Sequence, residues 1–102
     1  MQLIMKHDSS PIDIPAPQNS SKIESLPEIT IIVPYGPGYS YETVLDSIRE
    51  LDYPREKIAL LCIEGRQPAK QRNVGILQAK GEYIFFFDDD VVLEKDIIHN
   101  NL

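Results

Sequence analysis

The sequence predicts an α/β fold built on a parallel sheet, and two observations predict it. Three stretches, Ile29-Thr30-Ile31-Ile32-Val33, Ile58-Ala59-Leu60-Leu61-Cys62-Ile63 and Tyr83-Ile84-Phe85-Phe86-Phe87, are nearly continuous in apolar or β-branched residues. They lack the in–out alternation of a half-exposed strand, as expected of strands covered on both faces. Between them lie two segments with helical spacing, so that strand, helix, strand, helix, strand makes two right-handed crossovers and a parallel three-stranded βαβαβ sheet.

From Ser9 to about Pro27 the chain is rich in Pro, Ser, Asn and Gln, with isolated isoleucines and no period. Pro11, Pro15 and Pro17 block helix and remove ladder donors, so residues 1–27 read as a flexible, disordered N-terminal arm and 28–102 as the folded domain. The first strand, from Ile29, is stopped by Pro34 and the turn Tyr35-Gly36-Pro37-Gly38. Ser40 is placed to cap a helix whose Tyr41, Val44, Leu45, Ile48 and Leu51 share one face. Asp52-Tyr53-Pro54 ends that helix, and the second strand, expected to be buried on both faces, follows. Pro68 suits the first position of a second helix, which runs through Ala69, Arg72, Ile76 and Ala79 to a left-handed stop at Gly81. After the third strand, Glu94 to Ile98 reads as the opening turn of a third helix.

A formal charge of -6 argues against nucleic acid or an anionic membrane surface as a partner, since either needs a basic patch. The one cysteine, Cys62, lies inside an apolar run and reads as a core thiol, which suits a reducing compartment. No apolar stretch approaches the roughly 18 residues of a membrane span, and the start is too short in apolar residues for a secretory signal; a cytoplasmic protein is expected.

Asp88, Asp89 and Asp90 follow directly on the most apolar strand. Neighbouring carboxylates repel one another, so three together need a reason. Side chains at i and i+2 of an extended segment point the same way, which lets Asp88 and Asp90 converge. A hard divalent cation, which also grips phosphates, is the usual reason for such a pair. An acidic, solvated turn is the plainer alternative. In a parallel sheet the loops after the strands share one edge, which brings Pro34, Tyr35 and Glu64 beside the aspartates. Tyr35 is there either a loop aromatic or a stacking platform, and Glu64 either a solvated strand end or a ligand contact. Lys70, Arg72 and Asn73 open the second helix, where they either hold phosphate, pair with the aspartates or face water. Gly36-Pro37-Gly38 lacks the later glycine of a dinucleotide fingerprint, and no phosphate-loop Gly-Lys-Ser/Thr exists.

Ile29 to Tyr35, with Tyr41 to Ile48, resembles the opening of family 2 glycosyltransferases. Gln71-Arg72-Asn73-Val74-Gly75-Ile76 and Ala79 to Ile84 are similar to their second helix and third strand, and Phe87-Asp88-Asp89-Asp90 to their Asp-x-Asp motif. The resemblance covers about Ile29 to Ile98. It implies the Rossmann-like, donor-binding half of a GT-A fold and a nucleotide-diphospho-sugar held with Mn²⁺ or Mg²⁺. Pro34, Tyr35 and Glu64 match the base-binding loops, Arg72 and Asn73 the polar pair of the second helix. Asp88 and Asp89 match the ribose side of the motif, and Asp90, with Asp88, the metal ligands. Glu64 stands where the family usually has Asp, Gly36 replaces a common Asn, and the loop from Glu64 to Pro68 is short. The family's acceptor-binding half and catalytic base lie beyond the motif, so no catalytic base is expected here and these residues alone are expected to be inactive. So small a core is also expected to expose a sheet edge open to self-association.

Two other classes fit part of the pattern. Phe85 to Val92 has the form of the haloacid-dehalogenase-like phosphatase motif, which would make Asp88 a nucleophile and Asp90 a general acid. That motif sits on the first strand of its domain, however, and here two strand–helix units precede it. A non-catalytic remnant or interaction module with an acidic edge is the third reading.

Overall fold

The computed structural model describes residues 25–102 and the strand Leu3–Lys6. Its sheet has four strands, β1 (Leu3–Lys6), β2 (Ile29–Tyr35), β3 (Ile58–Glu64) and β4 (Tyr83–Phe86), in the order β1-β4-β2-β3. β2 pairs in parallel with β3, from Ile29 opposite Ile58 to Tyr35 opposite Glu64, and with β4, from Ile29 opposite Tyr83 to Ile32 opposite Phe86. The three parallel strands are therefore those read from the sequence. The sheet also holds an antiparallel strand that the sequence reading did not include: β1 lies along β4, Leu3 opposite Phe86 and Lys6 opposite Tyr83. Four residues followed by a long stretch rich in Pro and Ser give too short a pattern to stand out. The rest of the expected arm up to residue 24 lies outside the described residues. Leu26 packs against the core and the Pro27 carbonyl accepts a hydrogen bond from the Tyr53 hydroxyl, so the packing reaches back of the expected boundary at 28.

Strand alternation divides the core between the two faces. Ile29, Ile31 and Val33 of β2 join Phe85 and Phe87 on one face, under Val44 and Ile48 of α1 (Glu42–Arg49). Ile98 of α3 (Ile97–Asn100), with Tyr53 and Leu93, completes that layer. On the other face Ile32, Ile84 and Phe86 meet Ala79, at the end of α2 (Pro68–Gln78), with Ile76 packed alongside. Helices thus cover both faces, the arrangement that a parallel sheet requires. A single 3₁₀ turn, Arg55–Lys57, leads into β3.

Three local expectations need correction. β3 is not buried on both faces: it lies at the sheet edge, Ala59 and Glu64 are exposed, and the rest are half-buried. Cys62 is accordingly half-buried against the core, and burial pushes its thiol above the ordinary range. Ser40 is not the backbone cap of α1, which is Tyr41; its hydroxyl nevertheless accepts the Glu42 N–H at 3.1 Å. The buried face of α2 is Gln71 and Gly75, because Gly75 lets the helix settle onto β2. A Cβ there would lie 2.7–3.0 Å from three carbons of Ile32.

Gly81 is the third. Among the described residues the one positive-φ glycine is Gly38, so Gly81 is not a left-handed stop. Ala79, in extended conformation, ends α2 instead. Gly81 is needed for close approach: its N–H donates to the buried Thr30 Oγ1 at 3.1 Å, and a Cβ would stand 2.7 Å from the Ile29 carbonyl carbon. Gly81→Ala is therefore expected to overpack this crossing and cost about 1–3 kcal/mol. Thr30→Val, which leaves the Gly81 N–H without its acceptor, is expected to cost about 1–3 kcal/mol as well. Urea unfolding followed by circular dichroism measures both; unchanged midpoints would show that the crossing is loose.

Candidate functional site

Because β2, β3 and β4 run in the same direction, their carboxyl ends and the loops after them meet at one edge. A cleft of about 820 Å³ opens there. Pro34, Tyr35, Gly36, Pro37, Tyr39 and Ser40 contribute its wall after β2. Gly65, Arg66, Pro68, Gln71 and Arg72 contribute the wall after β3 and the start of α2, and Asp88, Asp89 and Asp90 the wall after β4.

Six sequence-predicted residues, Pro34, Tyr35, Arg72, Asp88, Asp89 and Asp90, are thus brought together. Phe87 holds the aspartates in place: its ring is buried against Phe85, and its N–H donates to the Ile32 carbonyl at 3.1 Å, which carries the pairing with β2 one residue past β4. Asp88 and Asp89 are half-buried and Asp90 is exposed. Among the described residues no three His, Cys, Asp or Glu side chains converge into a ready metal cage. The aspartates line a rim rather than enclose a point.

Tyr35 is half-buried, its ring tilted 57° against that of Tyr41 on α1 with centroids 4.7 Å apart. Partial burial, and after it the Glu64 carboxylate on the paired strand, push its hydroxyl above the ordinary tyrosine range. Glu64 therefore stands close to Tyr35 but does not line the cleft; it borders an adjoining hollow of about 310 Å³ that also touches Lys70. Asn73 is exposed on α2 and does not line the cleft. One residue beyond Arg72, the helix has turned it about 100° away.

Arg66 and Gln71 line the cleft as well, although nothing in the sequence singled them out as site residues. Arg66 is exposed on the short loop after β3 and, like half-buried Arg72, forms no ion pair with the described residues. Gln71 is 5% exposed, and its Nε2 donates to the Tyr35 carbonyl at 3.0 Å and the Ile63 carbonyl at 2.6 Å. The Gly65 N–H donates to the same Tyr35 carbonyl at 3.0 Å. A Cβ on Gly65 would come within 2.9 Å of Gln71 Cγ and Cδ, so the glycine makes room for the amide. The available signal was Gly75, four residues on from Gln71, which marks that helix face as the one pressed to the sheet.

Chemically, the cleft offers hard oxygen ligands on one wall, guanidinium groups on another and an aromatic residue between them, a set suited to a phosphorylated ligand. Residues 40–100 match the sequence model of the family described as Glycosyl transferase family 2. Among solved structures, the chain is similar to the mannosyltransferase PcManGT from Pyrobaculum calidifontis, solved in complex with GDP-Man and Mn²⁺. The identity is 25%, the TM-score 0.65, and the match covers 76% of this chain and 32% of that one. It is also similar in fold to S. aureus TarS 1-349, at 23% identity and a TM-score of 0.57, over 72% of this chain and 31% of that one. The chain thus spans about a third of the length of these structures. No curated protein matches it. Nothing in the match favours the phosphatase alternative, and the aspartates follow the last of the three parallel strands rather than the first. The family match over more than half of the residues, on a sheet with the GT-A strand pattern, assigns the chain to glycosyl transferase family 2.

Proposed function

We propose that the cleft binds a nucleotide-diphospho-sugar together with a divalent cation, Mn²⁺ or Mg²⁺, as the donor side of sugar transfer to an acceptor. The observation that carries this is the facing of Asp88, Asp89 and Asp90 by Arg66 and Arg72 across one cleft that also presents Tyr35. The all-oxygen donor set suits a hard cation. With no three-acid cage among the described residues, a cation here would complete its shell with water and phosphate oxygens, as Mg²⁺ commonly does. Asp90 and Asp88 would hold it, and when bound it supplies neutralisation of the charge that grows on the leaving diphosphate. Arg72, with Arg66, offers N–H donors to the phosphate oxygens in the geometry that guanidinium groups favour. Pro34 and Tyr35 border the base, with the Glu64 carboxylate beside them, and Asp88 and Asp89 the ribose; Asn73, turned out of the cleft, takes no part in it.

Family membership and the GDP-Man and Mn²⁺ bound by the Pyrobaculum enzyme support this reading. It gives these residues the donor side of the reaction. In the described structure the outer edge of β3 pairs with no strand, and we include self-association through that edge in the proposal. No described helix is long and apolar enough to cross a membrane. A reducing cytoplasm suits the single thiol of Cys62.

Calorimetry with UDP and GDP is expected to show binding on the order of tenfold tighter or more with Mn²⁺ than with a chelator. Equal, weak heats under both conditions would reject the donor site. Asp90→Ala is expected to abolish the cation dependence. Since Asp90 is exposed in a loop, its replacement is expected to shift stability by no more than about 0.5 kcal/mol. Loss of the fold, or an affinity that still responds to Mn²⁺, would remove Asp90 from the site.

A further inference from the structure

We infer that Gln71 is the base-selecting residue of the cleft: its Oε1 accepts a hydrogen bond from a ring N–H of the nucleobase, so that uracil or guanine nucleotides are taken over cytosine or adenine ones. This rests on the donor-binding reading above.

The orientation of the amide is settled by its partners. Both described side-chain hydrogen bonds of Gln71 go to backbone carbonyls, those of Tyr35 and Ile63, and only the –NH₂ side of a carboxamide can donate to them. Both Nε2 hydrogens are then used, and Oε1 is left on the opposite side. No donor among the described residues reaches it. Gln71 is nonetheless 5% exposed, which makes Oε1 a buried acceptor without a partner on the wall of a cleft. Such groups are rare in folded proteins, and each calls for an explanation. Beside it stands Gly65, where even a Cβ would come within 3.2 Å of Oε1. A side chain at that position would crowd the oxygen, and the glycine avoids this.

Position identifies the part of the ligand that supplies the donor. Gln71 is tied to the carboxyl ends of β2 and β3, whereas the aspartates follow β4, on the other side of β2. With the diphosphate drawn to the aspartates, the base falls toward Gln71 and Tyr35. Uracil N3 and guanine N1 carry a hydrogen in their neutral forms. At the matching ring positions cytosine N3 and adenine N1 carry a lone pair, which an amide oxygen repels.

The test compares UDP with N3-methyl-UDP, and GDP with N1-methyl-GDP, by calorimetry in Mn²⁺ on the full chain and on Gln71→Met. Methylation of the preferred nucleotide is expected to weaken binding to the unaltered chain roughly tenfold or more, and to make little difference to Gln71→Met. CDP and ADP are expected to bind more weakly than that nucleotide. Tolerance of the methyl group by the unaltered chain would overturn the assignment, as would an undiminished penalty in Gln71→Met. An undiminished penalty that disappears in Glu64→Gln would transfer the role to Glu64. If Gln71→Met does not fold, NMR of the unaltered chain decides. A protected nucleotide N–H proton with a nuclear Overhauser effect to the Gln71 side-chain amide is expected, and its absence overturns the proposal. Failure of every nucleotide to bind in Mn²⁺ would instead defeat the donor site itself, and this inference with it.

Discussion

The site depends on the central position of β2. Ile29 to Val33 are all buried, and β2 pairs in parallel with a neighbour on each side. A strand so placed has no freedom to slip: a one-residue shift would exchange Ile31 and Val33 with Thr30 and Ile32 across the sheet. The register fixes the level at which the three strands end, and with it the height of every loop at the cleft. Two glycines convert that register into close packing. Gly75 brings α2 onto Ile32, and Gly81 brings the chain across Ile29 and Thr30 before it turns into β4. Since α2 starts at the carboxyl edge, seating it on β2 also delivers Pro68, Gln71 and Arg72 to the cleft.

Charge in the cleft is held in an arrangement that folding alone does not favour. Three adjacent aspartates repel one another, and Arg66 and Arg72 share the cleft with them without forming ion pairs with described residues. Buried β-structure beneath imposes this separation, because Phe87, locked to Ile32, sets where the acidic loop begins. A ligand that carries both a cation and phosphates relieves the acids and the arginines together. In a chain of net charge -6, it is such local pairing rather than overall attraction that would draw in the proposed donor.

What could be read from the sequence follows a physical division. The three parallel strands, the start of α2 at Pro68 and the gathering of Pro34, Tyr35, Arg72 and the aspartates at one edge come from local patterns: apolar runs, a proline at the first helical turn, and loops that topology sends to the same place. β1 escaped because four residues carry too little pattern, and β3 reads as buried on both faces because edge and central strands differ in neighbours rather than composition. Gln71, Gly65 and the true role of Gly81 depend on contacts between residues far apart in the chain. Gln71 bonds across 36 positions to Tyr35, and Gly81 across 51 to Thr30. A glutamine in a helix looks like a solvated residue until the sheet beneath it is known. Asn73 was grouped with Arg72 by motif, yet helical rotation separates them.

The two edges of the sheet also differ in a way that bears on the cleft. β4 is covered by β1 on its outer side and buried along Ile84, Phe85 and Phe86, whereas β3 is half-exposed throughout its middle and, among the described residues, pairs with β2 alone. Local opening follows buried contacts and exposed backbone bonds, so the β3 side is the softer of the two. The aspartates therefore stand on the firm side, where charges must keep their spacing, and the β3 loop with Gly65 and Arg66 on the yielding side. What bridges the two is the Gln71 amide, which fastens the Ile63 carbonyl of β3 to the Tyr35 carbonyl of β2. Its removal would loosen that side of the cleft first, leaving the acidic wall on its buried support.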